Sequence, residues 1–201
     1  MENEIHSTKI AIIEAAVKVF SEKGFNGATT KEIAQAAGIA EGTIFRHFPS
    51  KSAILYFIVD YFIPLLGVES LKQTIDECQG LDQKTALKHI IQNRFETIAQ
   101  GKDLMRIVLT ETQYDASLRE TYLDRVYKPI LQIMSGFFQT RIEHGDFREA
   151  NPRILSHLLI SFIIFSISNQ YYFDNAQDYQ FNADDLADIL LNGIKGSEQH
   201  E

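Results

Sequence analysis

Almost nowhere along its 201 residues does this chain alternate apolar and polar side chains with the period of a β-strand, whereas apolar spacings of three and four recur from end to end. That pattern calls for an all-α fold. In the first segment Ile10, Ile13, Val17 and Phe20 share one helical stripe, Ser7 stands where an N-cap belongs and Gly24 where the helix should stop. Thr29 and Glu32 have the spacing of a capping box before a short helix that buries Ile33, Ala34 and Ala37, and Gly38 ends it. A third short helix is expected over about 41–47, and a fourth opens at Lys51 behind the cap Ser50. Pro64 should kink or end that helix, because proline removes a donor and crowds the preceding turn. Further helices are expected at about 84–100, 102–113, 116–144, 152–173 and 183–195, with Pro129 a point of division in the longest. Gly145 stops that helix, and Asn151 with Pro152 starts the next.

Composition narrows the function classes. Hydrophobic content of 45% and charged content of 23% are those of an ordinary soluble globular protein. The single cysteine, Cys78, has no second thiol for a disulfide or a metal site. The N-terminus MENEIHSTK has neither the basic nor the apolar region of a signal peptide, so the expected place of action is the cytoplasm. Residues 154–173 are uncharged over about the length of a bilayer span. Polar side chains from Ser156 to Gln170 interrupt them, so a helix buried in a bundle or a subunit interface is the simpler reading, and no membrane partner is expected. The chain has no Walker loop, no G-x-S-x-G elbow, no dinucleotide fingerprint and no His-rich metal spacing, so no enzyme activity, cofactor or metal is implied. Charge divides the halves: residues 1–51 hold six Lys or Arg and six acids, which leaves 13 basic and 21 acidic residues, the whole net −8, in the remainder.

Two short helices joined by a turn that begins with Gly38 have the form of a helix-turn-helix, in which the second helix is presented to the DNA major groove. This divides the chain into a DNA-binding domain, 1–50, and a larger helical domain, 51–201. Ile33, Ala37, Ile39, Ile44 and Phe48 would fix the two helices, which leaves Glu41, Gly42, Thr43, Phe45, Arg46 and His47 facing outward. Thr29 and Thr30 at the head of the second helix, and Lys51 at the head of the fourth, are placed to meet phosphates. Arg46 suits a guanine edge or a phosphate, and His47 a phosphate. Glu41 has two readings: an acceptor for a cytosine amino group, or a carboxylate favoured by the macrodipole at a helix start.

The same residues carry a family resemblance. TKEIAQAAGIAEGTIFRHFPSKSAIL, residues 30–55, resembles the DNA-binding pattern of the tetracycline-repressor (TetR) family, T-x-x-I-A-x-x-A-G-(V/I)-(S/T)-x-G-T-(L/I)-Y-x-H-F-x-S-K-x-x-L, and the GDF turn at 145–147 before a very apolar helix agrees with it. The resemblance implies a homodimeric repressor on a double-stranded DNA operator, with a C-terminal helical domain that holds an effector pocket and the dimer interface. Ala40 departs from the usual Ser or Thr, which removes a helix cap worth about 1 kcal/mol. Phe45 replaces the usual Tyr and lacks its hydroxyl, and Ser52 replaces a frequent acid.

The second half has no motif of comparable strength. Arg94 and Glu111 interrupt apolar stripes, where a charge is costly unless paired or used. They mark either a ligand pocket or a structural ion pair, or an arginine whose stem snorkels outward. Tyr114, Tyr122, Met134, Phe138, His157 and Phe165 supply the aromatic and soft lining of apolar ligand sites, so the expected effector is a small, mainly apolar molecule. Leu155, Leu159, Phe162, Ile163, Ser166, Leu186, Ile189, Leu190 and Ile194 are the expected dimer seam, in a two-fold four-helix arrangement. The rival reading is a helical protein-interaction adaptor with a vestigial helix-turn-helix, which would lack salt-sensitive binding to an inverted repeat.

Overall fold

The computed structural model describes residues 2–172 and 182–193, and among them every regular element is helical. In chain order these are α1 (Glu2–Gly27), α2 (Thr30–Ala36), α3 (Glu41–His47), α4 (Lys51–Phe57), α5 (Ser70–Glu77), α6 (Gln83–Gln100), α7 (Lys102–Tyr114), α8 (Ala116–Tyr122), α9 (Lys128–Glu143), α10 (Pro152–Tyr172) and α11 (Ala183–Asn192). Three wider π-helical turns, Ile58–Phe62, Leu65–Glu69 and Leu123–Tyr127, interrupt the α pattern. No described helix is long and apolar enough to cross a membrane.

Local chemistry explains most boundaries. Gly38, Gly145 and Gly193 follow helices with φ of 69°, 79° and 74°, the left-handed region that closes a helix C-terminus. Asn151 and Asn182 accept from main-chain N–H groups at the starts of α10 and α11. Two expectations need correction. Ser7 lies inside the helix, which begins upstream at Glu2, whereas Gly24, at φ 72° and ψ 164°, breaks the helical backbone where a stop is expected, with one short turn to Gly27 beyond the kink. Pro64 does not end the fourth helix. Helical backbone continues past it, flanked by π turns on both sides. The third π turn directly precedes α9, whose second residue is Pro129, and so divides the long helix expected at 116–144. In each case the extra residue in the turn accommodates the ring and the carbonyl that a proline leaves without a donor.

The chain forms two compact units. The first holds residues 1–66 and 101–128, so α7 and α8 pack with the N-terminal helices. There α2 and α7 both pack on α1, and α3 packs on α2. Ile12, Ala16 and Phe20 of α1, Ile33 of α2, Ile44 of α3 and Val108 of α7 are inaccessible. Tyr56 donates from its hydroxyl to both oxygens of Asp115 at 2.8 and 2.9 Å, and Asp115 also accepts from the Leu118 N–H. That N–H, then the Tyr56 hydroxyl, holds the Asp115 carboxyl below its ordinary range.

The second unit holds residues 67–100 and 129–201. Its centre is α6, packed against α5, α10 and α11. Leu71, Leu87, Ile90, Ile91, Met134, Phe137, Phe138, Leu159, Ile163 and Leu186 belong to one buried cluster. Lys88 meets Asp184 at 2.6 Å and Lys84 meets Asp188 at 3.9 Å, so α11 runs antiparallel to α6. Arg141 on α9 donates to the Cys78 and Leu81 carbonyls and to Asp146, all at 2.9 Å, and so ties the α5–α6 turn to the turn after α9.

Candidate nucleic-acid interface

The first unit presents α2 and α3 as a pair joined at Ala37–Ala40. The Ala37 N–H reaches the Ile33 carbonyl at 2.9 Å, the Ile39 N–H reaches the Ala34 carbonyl at 3.0 Å, and Gly38 makes the reversal with positive φ. Ile33 and Ile44 are fully buried and Phe48 nearly so, as the apolar spacing requires. The capping box is complete: Thr29 Oγ1 accepts from the Glu32 N–H at 3.2 Å and the Thr29 N–H donates to Glu32 Oε2 at 2.9 Å. Lys23, which the sequence pattern did not single out, adds an ion pair to Glu32 at 2.6 Å. The Lys23 ammonium and then the Thr29 hydroxyl pull the Glu32 carboxyl down to about 2. Ala40, the N-cap of α3, makes no side-chain cap bond.

The candidate DNA-contact residues divide by what already holds them. Thr30 donates to Glu41 Oε1 at 2.6 Å, which links the start of α2 to the start of α3. Glu41 therefore has a partner within the protein, in agreement with the helix-start reading. Arg46 Nη2 donates to Thr43 Oγ1 at 3.0 Å on the same helix. Phe45 is half exposed, Arg46 is exposed and His47 is partly so. Gly42 is exposed, and a Cβ there would meet nothing within 4 Å. The protein's own packing does not require a glycine at that position.

Lys51 points elsewhere. Its ammonium donates to the Phe25 carbonyl at 2.5 Å and the Ala28 carbonyl at 2.7 Å, and lies 4.5 Å from the centre of the Phe25 ring. It closes the loop between α1 and α2, and with it the position of Thr29. A second lysine, Lys9, lies 3.8 Å over the Phe57 ring and 5.3 Å from that of Phe48, joining α1 to the end of the reading element. These links span 20 to 50 residues, and no local pattern carries them.

The effector-pocket candidates divide between the two units. Glu111, Tyr114 and Tyr122 belong to the first unit; Arg94, Met134, Phe138, His157 and Phe165 belong to the second. Tyr114 and Phe165 are exposed, whereas Met134 and Phe138 lie in the buried cluster. Burial pushes Tyr122 up to about 12 and raises Glu111, an effect that the positive charge of Lys51 opposes. Arg94 is neither ion-paired nor snorkelling: it is 7% exposed and donates to the Gly67 carbonyl and Ser70 Oγ, each at 2.8 Å, and to Asn93 Oδ1. Burial lowers it to about 10. An open cleft of about 90 Å³ in the second unit is lined by Leu87, Phe138, Phe147, Leu155, Leu190 and the exposed Arg148, so Phe138 alone of the eight candidates borders it.

The residues expected at the dimer seam divide by burial within the protomer. Leu159, Ile163, Ser166 and Leu186 are buried inside the protomer, and Leu155, Phe162 and Leu190 are partly so. The face of α10 that stays open carries Ile154, Leu158, Ser161 and Phe165, the steps of four, three and four expected of one helical stripe. Ile189 on α11 is half exposed as expected, and Ile194 lies outside the described residues.

A capped helix and a recognition helix around a glycine turn, carried on an otherwise helical body, define a helix-turn-helix DNA-binding regulator. Residues 12–56 match the family of bacterial regulatory proteins, tetR family. The chain therefore carries a DNA-binding segment of the TetR family of transcriptional regulators. It is 27% identical over 187 residues, 91% of this chain and 93% of the other, to the fatty acid metabolism regulator protein of Bacillus subtilis (strain 168). The crystal structure of the transcriptional regulator FadR from Bacillus subtilis in complex with stearoyl-CoA superposes with a TM-score of 0.75 at 24% identity, over 92% of this chain and 99% of that one. AibR in complex with isovaleryl coenzyme A and operator DNA has a TM-score of 0.66 at 18% identity, covering 92% and 96%.

Proposed function

We propose that the protein is a homodimeric repressor that occupies an inverted-repeat operator in the cytoplasm and is released by an acyl-CoA or a related small, mainly apolar effector. Residues 1–50 read DNA, and residues 51–201 take the effector and the second subunit. The observation that carries this reading is the helix-turn-helix itself, together with likeness over nearly the whole chain to a fatty acid metabolism regulator. The acyl-CoA class is supported by the ligands named for the two related structures, of stearoyl and isovaleryl type.

Arg46 and His47 are the side chains of α3 left to meet a base or a phosphate, Phe45 packs on a sugar or a thymine methyl, and the bare Gly42 lets the DNA backbone approach closely. Thr29, Thr30, Thr43, Glu41 and Lys51 act mainly as positioning residues, through the bonds described above. The second subunit covers the Ile154, Leu158 and Phe165 face of α10, since contiguous exposed apolar rows of this kind mark interaction surfaces. Selection of bound sequences from random duplexes should enrich an inverted repeat, and acyl-CoAs should release the protein from it in fluorescence anisotropy. If no repeat is enriched, the repressor reading fails and the adaptor reading replaces it. If a repeat is enriched but neither short nor long acyl-CoAs release it, only the effector class falls.

A further inference from the structure

The cleft of the second unit lies where α6, the end of α11 and the turn between α9 and α10 come together. Leu87 of α6 and Phe138 of α9 line it and are almost inaccessible members of the buried cluster, so the cleft reaches the core. Phe147 on the turn and Leu190 on α11 pack against the same cluster and are only partly buried. The turn is held before any ligand arrives. The Phe147 N–H donates to the Arg141 carbonyl at 3.2 Å, and the Arg141 guanidinium donates to Asp146 and to the Cys78 and Leu81 carbonyls, each at 2.9 Å. The Phe147 ring lies 6.2 and 5.9 Å from those of Phe137 and Phe138.

Two charged residues line the cleft, and they differ in what holds them. Asp146 is engaged by Arg141. Arg148 is exposed and makes no hydrogen bond or ion pair among the described residues, and its neighbour Glu149 does not line the cleft. Apolar walls with one uncommitted guanidinium match an apolar group that carries an anion, since the guanidinium fork fits carboxylate and phosphate oxygens. Size limits the apolar part. A water takes about 30 Å³ in the liquid and a methylene about as much, so the 90 Å³ of the cleft encloses about three to four carbons.

We propose that this cleft binds a short acyl chain, of about four carbons beyond its carbonyl, and that Arg148 meets the anion it carries, the carboxylate of a free acid or a phosphate of a CoA ester. This rests on the effector reading above and deepens it by naming the site and limiting the chain length. An 18-carbon chain would leave most of its apolar surface outside the cleft.

The test compares wild type, Arg148→Gln and Ala150→Phe, in which a ring on the turn fills the cleft that Ala150 lines. Isovaleryl-CoA, isovalerate and stearoyl-CoA are titrated by calorimetry and, in anisotropy, for release from the selected operator. Both substitutions lie on the turn, so melts should stay within about 2 °C of wild type; should Ala150→Phe melt far below, Arg148→Gln decides alone. Wild type should bind a short ligand more tightly than stearoyl-CoA. Arg148→Gln should weaken short-ligand binding about fivefold, and Ala150→Phe more than about tenfold. Action of isovalerate alone assigns the anion to a carboxylate, and action of the CoA ester alone to a phosphate. Short-ligand binding and release unchanged in both variants overturn the cleft and leave the effector reading intact. Binding that the variants weaken as expected, without release from the operator in wild type, supports the cleft and removes the effector reading. A wild type that binds stearoyl-CoA but neither short ligand overturns the cleft, and one indifferent to all three probes overturns both.

Discussion

Leu158 and Leu159 are neighbours on α10 with opposite fates, 57% and 2% exposed, and this contrast makes the proposed subunit interface testable at one-residue resolution. Fully burying a leucine contributes about 1.5–3 kcal/mol, so the part of Leu158 still exposed in the protomer leaves about 1–1.5 kcal/mol for association. A two-fold interface contains the residue twice, so Leu158→Ala should weaken the dimer by about 2–3 kcal/mol, or about 30- to 150-fold in Kd. Leu159→Ala acts on the fold instead: it opens a cavity in the cluster that includes Leu87 and Ile163 and should cost about 2–5 kcal/mol of stability.

Sedimentation velocity across a dilution series separates the two effects, with far-UV circular dichroism as a check on folding. Leu158→Ala should retain wild-type helicity and dissociate at higher concentration. Leu159→Ala should melt earlier, with dimer affinity changed far less than in the neighbouring variant. A Leu158→Ala dimer with wild-type affinity, beside a Leu159→Ala protein that folds normally and dissociates, would refute the assigned face and restore the seam read from sequence.

Three further outcomes follow from the reading element. Arg46→Ala should lower operator affinity by about 1–3 kcal/mol in anisotropy titrations, whereas Glu41→Ala should act mainly on stability through the lost Thr30 bond, lowering Tm by about 2–4 °C. Lys51→Met should leave the salt dependence of operator binding unchanged, because its ammonium is held by main-chain carbonyls; a slope of log Kd against log salt that flattens by about 1 per subunit would show that Lys51 meets a phosphate instead. The third concerns pH. Glu32 falls from an ordinary 4.5 to about 2 on folding, so its stabilising effect is complete above 4.5 and is lost as pH drops through 2. The Tm gap between wild type and Glu32→Gln should therefore be full at pH 6 and close toward pH 2, and a gap that stays constant over that range would contradict the assignment.

What could be read from sequence depended on how local its cause was. The capping box at Thr29 and Glu32, the turn at Gly38 and the cap at Ser50 involve groups at most five residues apart, and the structure has all of them. The open face of α10 is harder because Ile, Leu and Phe surround nearly the whole helix, so the apolar pattern has little phase, and Leu159 and Ser166, expected at the seam, stand one position from the exposed Leu158 and Phe165. Pro64 and Pro129 mark irregularity correctly in both places. Whether a helix stops or widens by one residue depends on tertiary packing that a proline in the sequence does not report. The grouping of α7 and α8 with the N-terminal helices depends on pairs such as Tyr56 with Asp115, 59 residues apart, for which no spacing rule exists.

The same distinction bears on how a chain of net charge −8 holds DNA. Counting basic residues near α3 overstates the cations available, because the Lys23, Lys51 and Lys9 ammonium groups face Glu32, main-chain carbonyls and aromatic rings. The carboxylates of Glu32 and Glu41 are similarly occupied, by Lys23 and Thr30. With charges of both signs committed to holding α2 and α3 in place, Arg46 is the one cation on α3 whose side chain is free of any acid or carbonyl partner, bound only to the Thr43 hydroxyl. In the homodimer proposed above, two such heads set at the spacing of successive major grooves share the work of holding DNA. On that proposal the open face of α10 is as much a part of DNA recognition as α3.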